Sequence, residues 1–210
     1  MCCRYYLESS RESEELANQM NESPLVARWQ KTAAVKTQGE IFPTDVVPVI
    51  APDRQGRQAV FPMKWGFSGK SLLINARSET AGQKPTFREA WERHRCIIPA
   101  SWYFEWEHLK APGGKTKTGE KYMLQPKGSG MTWLCGLYRI EDHLPVFVVL
   151  TRDSSEDVRF LHDRMPLILP ESLINEWIRP DGRPESLLPE AVTQIVVSKC
   201  TTEGRQRVSD

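Results

Sequence analysis

The chain has 210 residues, 40% of them hydrophobic and 26% charged, a balance that suits a soluble globular protein with a substantial core and excludes a predominantly disordered one. Its 28 basic residues are offset by 27 acidic ones, so any contact with a polyanion must come from a local basic surface and not from the field of the whole molecule. No apolar run approaches the roughly 20 residues of a membrane-spanning helix, and no secretory signal is evident, so a soluble cytoplasmic protein without a membrane partner is expected.

In chain order, the periodicity predicts a helix over 12–21, then strands over 46–50, 59–65 and 72–76. A helix over 86–95 follows, then strands over 96–98, 102–106, 122–125, 131–138 and 146–151. Helices over 155–162 and 171–178 and a strand over 194–198 complete the pattern, and the polar residues from 201 onward are expected to fray. There is no strand-helix-strand rhythm, which argues against a parallel sheet. The Pro112-Gly113-Gly114 and Lys127-Gly128-Ser129-Gly130 breaks suggest hairpin-like connections. With no repeat and no linker of shifted composition, the expectation is one domain over 1–210. Its class is α+β and β-rich, with a mainly antiparallel, barrel-like curved sheet and peripheral helices.

Five cysteines, an odd number without disulfide-framework spacing, suit a reducing compartment and direct attention to a reactive thiol. Cys96, Cys135 and Cys200 are scattered, with no C-x-x-C pair, so they are expected to be packing residues, with no metal site and no cofactor. Cys2 differs from them. Its small side chain should permit removal of Met1, exposing an α-amine with a reference pKa of about 7.7–8.0 beside a thiol of about 8.5. With an aldehyde, such an amine forms a Schiff base, and the thiol can close a five-membered thiazolidine. By position alone, however, an incidental cysteine is the commoner explanation.

Three further segments place polar groups in apolar or aromatic runs. In LLINARSET (72–80), Asn75 could orient an amine or sugar, and Arg77, two residues on along the same strand face, could hold a phosphate; a strand ending in a polar turn is the plainer reading. In RCIIPASWYFEW (95–106), Glu105 lies among four aromatic residues, where burial would raise its pKa and suit it to proton transfer; an exposed strand face fits the alternation equally well. In RFLHDRMPLIL (159–169), His162 is a natural general acid or base, although lone histidines are more often structural. There Asp163 could cap a turn and Arg164 could pair with it.

Taken together and in this order, Met1-Cys2, LLINARSET, RCIIPASWYFEW and HDRMPLIL resemble the SOS-response-associated peptidase family, whose members shield abasic sites, and the resemblance spans nearly the whole chain. It implies a single β-rich domain with a positively charged DNA groove, single-stranded DNA containing abasic sites as partner, and a monomer. It also implies self-directed peptidase activity that removes Met1, a thiazolidine crosslink made by Cys2, and lyase activity. By the same resemblance Cys2 is the nucleophile, Asn75 orients it, Glu105 transfers protons near the amine and His162 promotes sugar-ring opening, the last two roles being exchangeable. Arg77 and Arg164 become candidate phosphate ligands with Thr151, at the end of its strand, as hydroxyl donor. Trp65 and Phe67 become candidates to stack on bases, with a core position as the more common alternative for such residues.

Three stretches depart from the family pattern. GEIFPTDVVPV stands where many members have an asparagine-containing stretch ending in Ala-Pro, the segment between the Trp65-Gly66 turn and LLINARSET is short, and RDSSEDV after Thr151 is more acidic and polar than a small-residue turn. Two other classes of function compete with aldehyde capture. One is a cysteine hydrolase with Cys2 as N-terminal nucleophile; the other is a noncatalytic single-strand binding module in which Cys2 is incidental.

Overall fold

The computed structural model describes residues 2–110 and 116–200. The first half runs β1 (Tyr5–Leu7), α1 (Arg11–Asn21), α2 (Leu25–Trp29), β2 (Gly39–Ile41), β3 (Val46–Pro52), β4 (Gln58–Trp65), β5 (Asn75–Arg77), α3 (Ser78–Ala81) and α4 (Pro85–Arg93). The second half runs β6 (Arg95–Ala100), β7 (Trp102–Lys110), β8 (Thr116–Pro126), β9 (Thr132–Glu141), β10 (Leu144–Asp153), α5 (Glu156–Arg159), β11 (Arg164–Pro166), α6 (Ile174–Ile178) and β12 (Ile195–Lys199).

The fold is α+β and β-rich, as the strand pattern predicts. One sheet is a five-stranded antiparallel layer in the order β12-β8-β7-β1-β2. In the other, β10, β4, β3, β6 and β9 pair in succession, and β9 pairs back onto β10, closing a barrel. The strands β3 and β10 read as almost continuous β-branched and apolar runs because they are buried on both sides, by the barrel interior and by covering elements. Most pairings are antiparallel; the exceptions are β10 with β4 and β10 with β5, which are parallel.

The helices lie outside the barrel and each buries one stripe. Helix α1 starts at Ser10, whose hydroxyl accepts from the Ser13 amide at 3.2 Å while the Ser13 hydroxyl accepts from the Ser10 amide at 2.9 Å. It then buries Leu16 and Met20, spaced four apart. Pro85 opens α4, and Phe87, Ala90 and Trp91 form its buried face. Arg95, fully buried, ties two helix ends together: Nη1 donates to the carbonyls of Trp91 at 2.6 Å and Glu92 at 2.7 Å, and Nε donates to that of Trp177 at 2.8 Å. The cation thus satisfies carbonyls that the helices cannot.

Several local expectations need correction. The break at 127–130 is no hairpin, because β8 belongs to the layer and β9 to the barrel, so the chain there crosses between sheets. The other break, Pro112-Gly113-Gly114, lies outside the described residues, as does the tail from 201, although β7 and β8 on either side of the first pair antiparallel. The helix expected over 155–162 closes after one turn, and that over 171–178 begins with a 3-10 turn at Glu171–Leu173. The strand expected over 72–76 begins at Asn75, because Leu73 instead folds back onto Phe67 across the loop 68–72. Gly66, between the end of β4 and this loop, has φ +120°, and a Cβ there would meet the Leu72 side chain at 2.7 Å, so the bend at this point requires glycine. Cys96 and Cys135 are buried thiols, whereas Cys200 is half-buried. Among the described residues no helix is long and apolar enough to cross a membrane.

Candidate active site

Cys2 precedes β1, which lies in the antiparallel layer between β2 and β7. Asn75 opens β5, which the parallel pairing with β10 holds against the barrel. The Asn75 side-chain amide donates to the Cys2 carbonyl at 2.8 Å, so this bond spans the seam of the two sheets. The remaining side-chain oxygen of Asn75 is buried and accepts no hydrogen bond among the described residues. Cys2 itself is fully buried, and its thiol contacts the Arg4 carbonyl at 3.8 Å. Burial, and secondarily the charge of Glu105, pushes the Cys2 thiol far above its ordinary pKa. The thiol is therefore held protonated.

The face of β7 that carries Tyr103 and Glu105 turns inward. Tyr103 is fully buried and Glu105 is 3% exposed, so the exposed-face alternative for Glu105 does not hold. One Glu105 oxygen accepts from the Trp106 amide at 3.3 Å. His162 follows α5, and its imidazole lies edge-on to that of His108, with ring centroids 5.1 Å apart. Its Nδ1 is 2.9 Å from the Arg164 amide and 2.7 Å from Asp163 Oδ1. Burial lowers the His162 pKa, and the charges of Glu105 and Asp163 oppose that shift. Cys2, Asn75, Glu105 and His162 thus come from four separate elements.

The five expected DNA contacts divide differently. Arg77 is exposed on β5 and makes no side-chain hydrogen bond or ion pair among the described residues. Arg164 is 7% exposed and committed to acidic partners: a bidentate pair with Glu79 at 2.8 Å for both bonds, and Asp153 Oδ1 at 2.5 Å. Thr151 is buried inside β10, which runs on to Asp153, and its hydroxyl donates to the Ala76 carbonyl at 3.3 Å. Trp65 and Phe67 are fully buried, Trp65 stacking on Phe147 and donating Nε1 to the Ile74 carbonyl. Packing, the second of the two readings open for this aromatic pair, is the position they occupy. With no face open to solvent, neither meets a base in this conformation.

The sequence reading missed a group on the layer's other face. Lys121 lies over the ring of Phe104 at 3.7 Å and beside Trp106 at 5.4 Å, and Arg4 lies over Phe42 at 4.3 Å and beside Trp106 at 5.5 Å. Both cations hydrogen-bond Glu40 Oε1, Lys121 at 2.7 Å and Arg4 at 3.4 Å. Burial pushes the Glu40 carboxyl up, but the bonds and charges of Lys121 and Arg4 outweigh it and hold the group below its ordinary value. The alternation Cys2-x-Arg4 and the neighbouring pair Glu105-Trp106 were the available signals, but only strand pairing brings β2, β7 and β8 to one patch.

Comparison with known proteins identifies the family. The abasic site processing protein YoaM of Bacillus subtilis is 36% identical over 113 residues, covering 51% of this chain and 48% of its own length. The abasic site processing protein YedK of Escherichia coli is 28% identical over 144 residues, covering 66% of this chain and 61% of its own. The chain thus matches about half to three-fifths of the length of these relatives. A crystal structure of a phage-related protein from Bordetella bronchiseptica superposes with a TM-score of 0.72 at 20% identity, covering 96% of this chain and 95% of that one, and shows the shared fold. The SOS response associated peptidase (SRAP) profile matches residues 1–203, and the chain belongs to that family.

Proposed function

We propose that this protein captures abasic sites in single-stranded DNA by forming a thiazolidine between Cys2, once Met1 has been removed, and the aldehyde of the opened sugar. The observation that carries the reading is the Cys2 main chain, held at 2.8 Å by Asn75 beside the buried Glu105. The relatives' names, abasic site processing proteins, support the class of substrate.

The chemistry proceeds through the neutral amine. His162 takes the proton of the sugar's anomeric hydroxyl; the bond from that carbon to the ring oxygen breaks, and the ring oxygen receives a proton in turn. The Cys2 amine adds to the resulting aldehyde, and loss of water gives the imine, with the buried Asn75 oxygen available to orient the amine and Glu105 to carry protons. The protonated Cys2 thiol then adds to the imine carbon. A sulfur–carbon bond forms, the thiol proton leaves, and the nitrogen ends as a ring N–H. Met1 removal by the protein's own site precedes these steps. Arg77, exposed at the mouth of β5, is the phosphate contact we assign to the bound strand. The strand is DNA in the cytoplasm or nucleoid, bound by a monomer.

The test is denaturing electrophoresis after incubation with single-stranded DNA carrying one abasic site, with intact DNA as control. A heat-stable shifted band that needs the lesion, Cys2 and Met1 removal supports capture. Normal crosslinking by protein that retains Met1 would overturn it. Multiple turnover of peptide substrates would favour the hydrolase, and lesion-indifferent binding unaffected by Cys2→Ala would favour a simple binding module.

A further inference from the structure

Tyr103 brings to the surroundings of Cys2 a hydroxyl for which the fold supplies no partner. Its side chain is fully buried, and the hydroxyl makes no hydrogen bond among the described residues. Folding strips such a group of water and ordinarily returns a hydrogen bond, so a buried hydroxyl left without one calls for an explanation. The side-chain oxygen of Asn75 is in the same position, while its amide holds the Cys2 carbonyl at 2.8 Å. An unpaired donor and an unpaired acceptor thus border one residue. That combination matches the addition of an amine to an aldehyde, in which the N–H groups need an acceptor and the oxygen, gaining charge as the carbon–nitrogen bond forms, needs a donor. We infer that Tyr103 is a catalytic residue whose hydroxyl donates to the aldehyde oxygen of the captured sugar while the Cys2 amine adds and that oxygen leaves as water.

The strand pairing places Tyr103 beside the reacting residue. The Arg4 carbonyl is met by the Cys2 thiol at 3.8 Å and by the amide of Phe104, the residue after Tyr103, at 3.0 Å. Tyr103 and Glu105 lie two apart on the inward face of β7, so the donor stands next to the group assigned to carry protons. Burial, and after it the charges of Cys2 and Glu105, push the Tyr103 hydroxyl well above its ordinary pKa, which keeps it a donor that retains its proton. Cys2 is enclosed as fully as Tyr103, so an aldehyde that reaches the Cys2 amine enters the same enclosure. Tyr5, opposite Tyr103 in the β1–β7 pairing, is also fully buried with an unpartnered hydroxyl among the described residues. The acid acting on Tyr5 is Asp45 and not Glu105, which makes Tyr5 the internal comparison. The inference rests on the proposed function and deepens its amine step. The nitrogen lone pair adds to the aldehyde carbon, the carbonyl π pair moves onto the oxygen facing Tyr103, and Glu105 relays two protons from nitrogen to that oxygen. Water departs as the carbon–nitrogen double bond forms, and Tyr103 ends as it began.

The test compares processed wild type with Tyr103→Phe and Tyr5→Phe, each of which keeps the ring and loses only the oxygen. Single-turnover rates at saturating abasic single-stranded DNA are read twice, as the heat-stable crosslink and as the imine trapped by borohydride. In Tyr103→Phe both rates should fall about tenfold or more, whereas Tyr5→Phe should stay within about twofold of wild type. Affinity for single-stranded DNA carrying a tetrahydrofuran analogue, which has no aldehyde, should be unchanged in both. The melting temperature of Tyr103→Phe should be no lower than that of wild type, because the substitution breaks no hydrogen bond in the free protein. Unchanged rates in Tyr103→Phe overturn the inference, as does an equal loss of rate in Tyr5→Phe or a loss matched by weaker binding. A lower melting temperature overturns it as well, since the hydroxyl would then be bonded within the protein already. Failure of wild type to crosslink is a different result and overturns the proposed function itself.

Discussion

The side-chain amide of Asn75 holds the carbonyl of Cys2 across the seam between the antiparallel layer and the barrel, at 2.8 Å. The bond fixes the peptide whose neighbouring nitrogen would become the nucleophile. Replacing Asn75 with Ala should therefore lower the crosslinking rate by about tenfold, the equivalent of about 1.4 kcal/mol, while leaving affinity for intact single-stranded DNA nearly unchanged. Rapid-quench gels and fluorescence anisotropy measure the two quantities. An equal loss in both would point to folding or docking instead.

The thiol and the amine of Cys2 have separable roles. In processed Cys2→Ser protein the amine remains, so borohydride should trap an imine with abasic DNA, but no heat-stable adduct should form without reductant. A heat-stable band from this variant would exclude thiazolidine closure as the source of stability.

Stability should fall on mild acidification because of histidine. Burial lowers the pKa of His94 and of His162 below the ordinary 6.5, so below that pH the unfolded chain binds more protons than the folded one. The contribution is complete above 6.5 and is lost as pH falls toward the folded values. The acids whose pKa is lowered, among them Glu79 and Glu141, start from 4.5 and act in a lower window. Melting temperature should thus drop between about pH 7.5 and pH 5.5. His94→Phe, which keeps the ring contact with Tyr138, should shrink that drop, and an identical pH slope in the variant would refute the assignment.

Thr44 carries φ +81°, a left-handed conformation that costs a β-branched residue about 1–3 kcal/mol. Its amide bonds the Trp65 carbonyl at 2.8 Å, which holds it there. Thr44→Gly should relieve the strain and, after the extra chain entropy of glycine, stabilise the protein by about 1 kcal/mol, or roughly 2–4 °C in Tm. Differential scanning calorimetry decides this, and a lower Tm would show that the threonine side chain supplies packing worth more than the strain.

The class of fold, most of the barrel strands and the starts of α1 and α4 were legible in the sequence alone, because apolar alternation and helical spacing are local properties. Asn75, Glu105 and His162 were singled out beside Cys2 by the family resemblance, since the local pattern of each fitted a plainer reading at least as well. Which strands belong to the layer and which to the barrel was not legible, because a turn such as that at 127–130 looks the same whether it joins neighbours or crosses between sheets. Nor could a linear pattern tell that Trp65, Phe67 and Thr151 are enclosed while Trp106 stays beside two cations, since burial depends on what packs against a strand and not on the strand's own alternation. The commitment of Arg164 to Glu79, 85 residues away, likewise arises only on folding. A charged side chain in a sequence is equally able to grip a phosphate or a carboxylate, and only the folded chain brings the carboxylate within 2.8 Å.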